Sequence, residues 1–278
     1  MRRRLRRLVG VPAVVAGVAL IVGYILTGLL APWIAPYDPN AQDLMTALQP
    51  PSPDHWLGTD DLGRDLASRV IAAARTDLAI VVVGMLLAMI IAAPVGAAAG
   101  FAGGRTDRVL MGVSDTMLTF PSLVLAVVLV SLFGAGLQSV VVAVGLTAAP
   151  ALARLIRSLV LTTAGMEYVD AARALGAGSL RLIRRHIMPN IAGRVIVYTT
   201  LMGSYAMLTV TALGFLGLGV QPPAAEWGNM LATTRTYLAT APWLLAAPGT
   251  AIVLFIFGLN LLGDALRDLF DPKLLWRP

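Results

Sequence analysis

Residues Glu167–Asn190 read EYVDAARALGAGSLRLIRRHIMPN, a polar stretch with four arginines between two apolar runs, Leu137–Leu155 and Val195–Val220. The local pattern predicts a short helix over Met166–Leu175. Glu167 near its start complements the helix dipole. Tyr168, Ala171, Ala172 and Leu175 fall at i, i+3, i+4 and i+7, which gives one face of small and aromatic side chains. Gly176 ends the helix, because glycine enters the left-handed conformation without a steric penalty. A second helix is expected from Ser179, as its cap, to Ile187, with Pro189 as its stop. Two readings of the island compete. It can lie on the lipid surface with its arginines on anionic headgroups, or it can dock a protein. The order helix, glycine, helix, proline favours docking, and side chains as small as Ala171 and Ala172 let a helix sink into a cleft.

The rest of the chain supplies the membrane context. It has 278 residues, 58% hydrophobic and only 13% charged, with a mean hydropathy of +0.80; a soluble domain carries about 25% charged residues. Six runs approach the roughly 20 apolar residues that cross a hydrocarbon core: Val9–Ala31, Leu78–Phe101, Val113–Phe133, Leu137–Leu155, Val195–Val220 and Pro242–Leu262. The third contains Asp115 and Pro121 and is the weakest. None alternates in polarity as a barrel strand would, so the expected class is an all-α polytopic membrane protein with six spans. The segment RRRLRR before the first run resembles the start of a signal peptide, but the run is longer than a signal core, so an uncleaved first span is expected.

Basic residues prefer the cytosolic side. With the N-terminus inside, 17 of the 21 lysines and arginines fall on inside segments, and only Arg64, Arg69, Arg75 and Arg235 fall outside. The expected topology is N-in and C-in. The net charge of +6 is thereby assigned to topology, and no nucleic-acid partner is expected. Cysteine is absent, which excludes disulfides and thiolate chemistry. No P-loop pattern GxxxxGK[ST] occurs, and neither His55 nor His186 sits in a catalytic motif. No catalytic, metal or substrate-binding residue is assigned. An ion-coupled secondary transporter would need carboxylates near mid-span, and the span interiors read as nearly free of them.

The first outside segment is rich in proline and should be irregular. Asp60 or Asp61 is expected to cap an amphipathic helix from about Leu62, lying at the outer surface. Asp60, Asp61, Arg64 and Asp65, with His55 nearby, read as a solvated cap with ion pairs rather than as a metal site. Pro222–Pro223 is expected to break the fifth span, and Trp227 to sit at the membrane interface. Gly96, Gly100 and Gly104 form a GxxxGxxxG run suited to close helix packing. Met85, Met89, Met117, Met202 and Met207 suit either a tolerant pathway or ordinary packing.

Four segments, in order along nearly the whole chain, carry a family resemblance. Glu167, Ala171, Ala172, Gly176 and Ile187-Met188-Pro189 are similar to the EAA signature of ABC importer permeases. Leu57–Asp65 (LGTDDLGRD), Phe215–Pro223 with Trp227-Gly228, and Asn260–Asp268 with Asp271-Pro272 resemble the DppC/OppC-type second permease of dipeptide, oligopeptide and nickel importers. Ala224-Ala225 departs from a more polar turn and bears on loop shape alone. The resemblance implies a type I ABC importer permease fold, with one transmembrane domain over 1–278. An extracytoplasmic loop is placed at about 32–76 and a cytosolic EAA loop at about 164–194. It implies a coupling helix carrying Glu167, Tyr168, Ala171, Ala172, Arg173, Leu175 and Gly176. It implies as partners a homologous DppB/OppB-like permease, two ATPase subunits, an extracytoplasmic solute-binding protein and the lipid of a bacterial or archaeal cell membrane. The chain would hold no cofactor of its own, with ATP and Mg on the ATPases. Di- or oligopeptides are the expected cargo, with nickel chelates, haem or another solute as alternatives.

The basic asymmetry makes a direct prediction. Gly178→Cys, in a chain without native cysteine, should react with an impermeant thiol reagent only after cells are permeabilised. Labelling from outside intact cells would invert the topology.

Overall fold

The computed structural model describes residues 12–270; the N-terminal arginines, Val9 at the start of the first run, and Asp271-Pro272 lie outside the described residues. The elements are α1 (Pro12–Ile34), a 3-10 turn (Leu44–Thr46), α2 (Leu66–Ala102), α3 (Gly104–Leu118), α4 (Ser122–Phe133), α5 (Leu137–Ala164), α6 (Glu167–Ala174), α7 (Ser179–Arg181), a π-helical turn (Leu182–Ile187), α8 (Met188–Phe215), α9 (Trp227–Tyr237) and α10 (Trp243–Phe270). No strand occurs among the described residues. Five helices are long and apolar enough to cross a membrane, and a sixth span results if α3 and α4 count as one.

That sixth span is broken. The axes of α3 and α4 meet at 92°, because Pro121 stands at the N-cap of α4 and a residue before proline is pushed out of the helical region. α3 is held to α5 by ion pairs, Asp107 with Arg157 and Asp115 with Arg154. The remaining spans meet through small residues. A Cβ on Gly96 would lie 2.5 Å from the Ala153 carbonyl oxygen, and one on Gly100 would lie 2.7 Å from that of Arg157. Gly84 faces Val144, and Gly145 faces Leu87. These pairings advance in the same direction, so α2 and α5 run parallel. Of the GxxxGxxxG run, Gly96 and Gly100 form this seam within the chain. Gly104 has nothing within 4 Å and opens α3.

Several expected boundaries shift. The amphipathic segment after Leu62 is no surface helix. It is the start of the 37-residue α2, capped by Asp65, whose carboxylate accepts from the Ser68 N–H. Its apolar residues Leu66, Ala73 and Ala74 are buried in the core, which is why the segment does not lie against lipid. The Asp60 carboxylate instead accepts from the Leu62 and Arg64 N–H groups and pairs with Arg64 and Arg69. Asp60, Arg64, Asp65 and Arg69 are all buried, so the cluster is internal rather than solvated. His55 Nδ1 lies 2.9 Å from Asp65, and no group of three or more potential metal ligands occurs among the described residues.

Pro189 does not stop the second island helix. It stands just after the π turn Leu182–Ile187, whose wider hydrogen-bond spacing carries the helix on to Phe215. Ser179 is the first helical residue; Gly178 precedes it without a side-chain cap. α8 ends at Phe215 rather than at Pro222. Gly217, at φ +78°, closes it with the bonds Leu218 N–H to Leu213 O and Gly217 N–H to Gly214 O. That is the Schellman pattern.

The glycine seam sets the expected response to substitution. Gly100→Val should lower the thermal midpoint of the detergent-purified chain, through an overpacking penalty of about 1–3 kcal/mol. Gly112→Ala, on an open face of α3 with nothing within 4 Å, should be neutral or slightly stabilising. Equal behaviour of the two would show that the α2–α5 contact is not close.

Candidate functional site

The island folds as a compact hook. α6 buries Val169, while Tyr168, Ala171 and Leu175 are exposed, Leu175 at 89%. Ala172 is half-buried against the core. The Schellman pattern recurs here: Ala177 N–H donates to Ala172 O and Gly176 N–H to Arg173 O. Gly176 takes φ +84° with no atom within 4 Å of a Cβ, so backbone conformation, not space, requires glycine. Arg173 pairs with Asp170 at 2.7 Å, with both side chains more than half exposed; such a pair contributes little. Glu167 opens the helix and is exposed.

Tyr168 has a second role. Its hydroxyl accepts from Asn190 Nδ2 at 2.6 Å and reaches the His186 carbonyl at 3.3 Å. The phenol thus ties α6 to the base of α8. Val169 is fully buried, and the turn between α5 and α6 is closed by Met166 N–H to Thr163 O. The hook is therefore fixed to two spans at once. It presents Ala171 and Leu175 as an unpartnered small and apolar face beside Glu167 and Arg173. All seven residues expected to couple lie on this one hook; Tyr168 and Ala172 support it from the inner side.

At the opposite end of the spans the structure holds a cluster that sequence reasoning missed. Asp77 lies within α2 and is fully buried, as are Glu226 and Trp227. Asp77 Oδ2 accepts from the Trp227 N–H at 3.0 Å. Glu226 caps α9, accepting from Gly228 at 2.7 Å and Asn229 at 2.8 Å. Asp77 Oδ1 is buried and has no hydrogen-bond partner among the described residues. Trp227 is no interface anchor. It is 1% exposed, donates from Nε1 to Val70 O, and stacks edge-on with Tyr24 and Phe255. The cluster therefore ties α1, α2, α9 and α10 together. Its carboxyls are distant in sequence, so no local spacing marks them as a pair.

Burial pushes the Glu226 carboxyl up to about 7, against the pull of the Gly228 and Asn229 N–H groups and of Asp77. An acid with a higher pKa in the fold binds its proton more tightly when folded. Its contribution is complete below the ordinary value of 4.5 and is lost as pH rises through about 7.

Spans with a broken third member and an anchored hook fit the membrane-spanning permease of an ABC importer, and comparison with known proteins places the chain in a family. Residues 84–276 match the family described as "Binding-protein-dependent transport system inner membrane component", and residues 1–51 match "N-terminal TM domain of oligopeptide transport permease C". The chain belongs to this family of multi-pass plasma-membrane permeases. It is 44% identical to the di/tripeptide transport system permease DppC of Pseudomonas aeruginosa, over 93% of this chain and 87% of the relative. It is 41% identical to the probable D,D-dipeptide permease DdpC of Escherichia coli, over 95% and 89%. It is also 41% identical to the nickel permease NikC of Escherichia coli, over 90% of each. Among solved structures, the MetNI methionine ABC transporter in inward-facing conformations shares the fold, with a TM-score of 0.59 over 73% of this chain and 96% of that one at 18% identity.

The carboxyl pair generates a pH prediction. The thermal midpoint should fall from pH 5 to pH 8. Asp77→Asn, which replaces the neighbouring buried carboxyl by a group that cannot ionise, should flatten that slope and raise the midpoint at pH 8. A slope unchanged by Asp77→Asn would separate the pH response from this pair.

Proposed function

We propose that the chain forms half of the translocation pathway of an ATP-driven peptide importer and couples through α6 to a cytosolic ATPase. The exposed Ala171–Leu175 face carries this reading. A helix tied to two spans through Tyr168 and Val169, yet presenting unpartnered small and apolar side chains, is built to seat in a cleft of another protein. In this reading the island faces the cytosol, and the Asp77–Glu226 cluster faces the compartment from which a solute-binding protein delivers cargo. A homologous second permease completes the pathway. Two ATPase subunits bind ATP and Mg and hydrolyse ATP, and closure of the ATPases on nucleotide moves α6 as a lever on the spans.

The cargo assignment draws on the two peptide permeases among the relatives. A second reading, nickel chelates, draws on NikC at similar identity. Affinity of the cognate binding protein for a dipeptide library against chelated nickel separates the two.

For coupling, Leu175→Asp should leave membrane insertion and thermal stability unchanged, because the side chain is exposed, while abolishing ATP-driven uptake in the complete transporter. Gly176→Val should also leave insertion intact and abolish uptake, while straining the turn by about 1–2 kcal/mol. Full uptake by both variants would remove α6 from the coupling interface.

A further inference from the structure

A cavity of about 590 Å³ lies where the α3–α4 break meets α5, α8 and α10. Leu118 and Ser122, on either side of the break, both line it. Six of its side chains are polar and uncharged: Ser122, Thr147, Tyr198, Tyr205, Thr209 and Asn260. On α8, Tyr198, Tyr205 and Thr209 follow i, i+7 and i+11, one continuous stripe. Thr147 lies ten residues from the start of α5 at Leu137, and Tyr205 ten residues from the end of α8 at Phe215. Each is therefore roughly 15 Å along its helix, about halfway through a hydrocarbon core of roughly 30 Å. Tyr205 is 68% exposed.

Polar groups at that depth need a partner that lipid tails cannot supply. Thr147 and Thr209 donate to the carbonyls of Ala143 and Tyr205, which leaves lone pairs as acceptors towards the cavity. Asn260 donates one amide hydrogen to Ile256 O and keeps its second hydrogen and its carbonyl. The hydroxyls of Ser122, Tyr198 and Tyr205 make no bond among the described residues. The lining thus offers several donors and several acceptors and no charge. An ion would find no counter-charge there, and a lipid tail would leave the Ser122, Tyr198 and Tyr205 hydroxyls unmatched. A neutral amide, with one N–H and one C=O, matches both kinds of group, while the apolar Leu118, Val144 and Met202 accept side chains of varied shape.

We infer that this cavity is a pathway subsite that binds the neutral amide of the transported solute, with Tyr205 and Thr147 as its principal hydrogen-bonding groups. The inference rests on the peptide-importer reading above and assigns the amide, rather than the charged termini, to this chain.

The complete transporter in proteoliposomes, with its loaded binding protein, tests it. Tyr205→Phe and Thr147→Val keep shape and remove one hydroxyl each. Each should raise the KM for alanyl-alanine uptake about fivefold, the worth of one net hydrogen bond, while stimulation of ATP hydrolysis by the loaded binding protein is retained. In parallel, Thr147→Cys and Tyr205→Cys should react with a small hydrophilic thiol reagent in at least one nucleotide state and be protected by alanyl-alanine. No labelling in any state would mean that lipid or the second permease covers the cavity, and would overturn the inference. Labelling without protection, or an unchanged KM in both hydroxyl variants, would overturn it as a subsite. Failure of the unmodified transporter to take up alanyl-alanine would instead sink the peptide reading. Labelling would then still place both residues on an aqueous path, with the amide as ligand refuted.

Discussion

The close contact of α2 with α5 organises the molecule. Lipid tails are as apolar as the helices, so no hydrophobic force drives these spans together; contact area between backbones has to do it. Gly96 and Gly100 bring α2 against the carbonyls of Ala153 and Arg157, and Gly84 and Gly145 continue the seam. Because the two helices are parallel, the segment between them must return across the same thickness. That return is the broken α3–α4 span, and its arginine–aspartate pairs to α5 hold the first limb while Pro121 redirects the second. A break in a span is tolerated where it is covered by protein or lines a cavity, and here the break opens on the polar cavity between α5, α8 and α10.

The two ends of the spans are built differently. At one end Asp77, Glu226 and Trp227 fasten the connecting helix α9 to α1, α2 and α10 through buried polar bonds and edge-on aromatic contacts. Nearby, the Asp60–Arg64–Arg69 cluster and the Asp65 cap organise the long loop onto the start of α2. Polar groups buried this thoroughly make a stiff lid, since losing any partner leaves a desolvated group behind. At the other end the hook is tied down by Val169 and Tyr168 but leaves Leu175 to solvent. The proposed coupling role needs this contrast between a firm attachment to the spans and a free face.

Membership of the permease family and the fold shared with MetNI fit a division of labour within one chain. The helix seam is generic packing, whereas the hydroxyl and phenol stripe on α8 is chemistry that packing does not need. Threonines in a span can satisfy their own hydroxyls against the preceding turn, as Thr147 and Thr209 do. The Tyr198 and Tyr205 phenols extend too far to do so, and they give the stripe its outward polarity.

The sequence by itself determined the class, the approximate spans, the hook and the family. Each rests on local signals: runs of apolar residues, a helix face at i, i+3, i+4 and i+7, a glycine where the backbone turns left-handed, and short motifs in order. It misplaced what depends on a neighbour from far along the chain. Trp227 read as an interface residue because its local company is prolines and a glutamate; its burial comes from Tyr24, Phe255 and Val70. The Leu62–Thr76 segment read as a surface helix because its amphipathic face does not reveal whether lipid or protein covers it, and only packing in the core made it part of α2. Pro189 read as a stop because proline breaks a helix interior, but the π turn just before it carries the helix through. The Asp77–Glu226 pair and the cavity were decided by tertiary structure alone. Two carboxyls far apart in sequence, and polar groups from four separate helices, come together only when the fold packs those helices against one another.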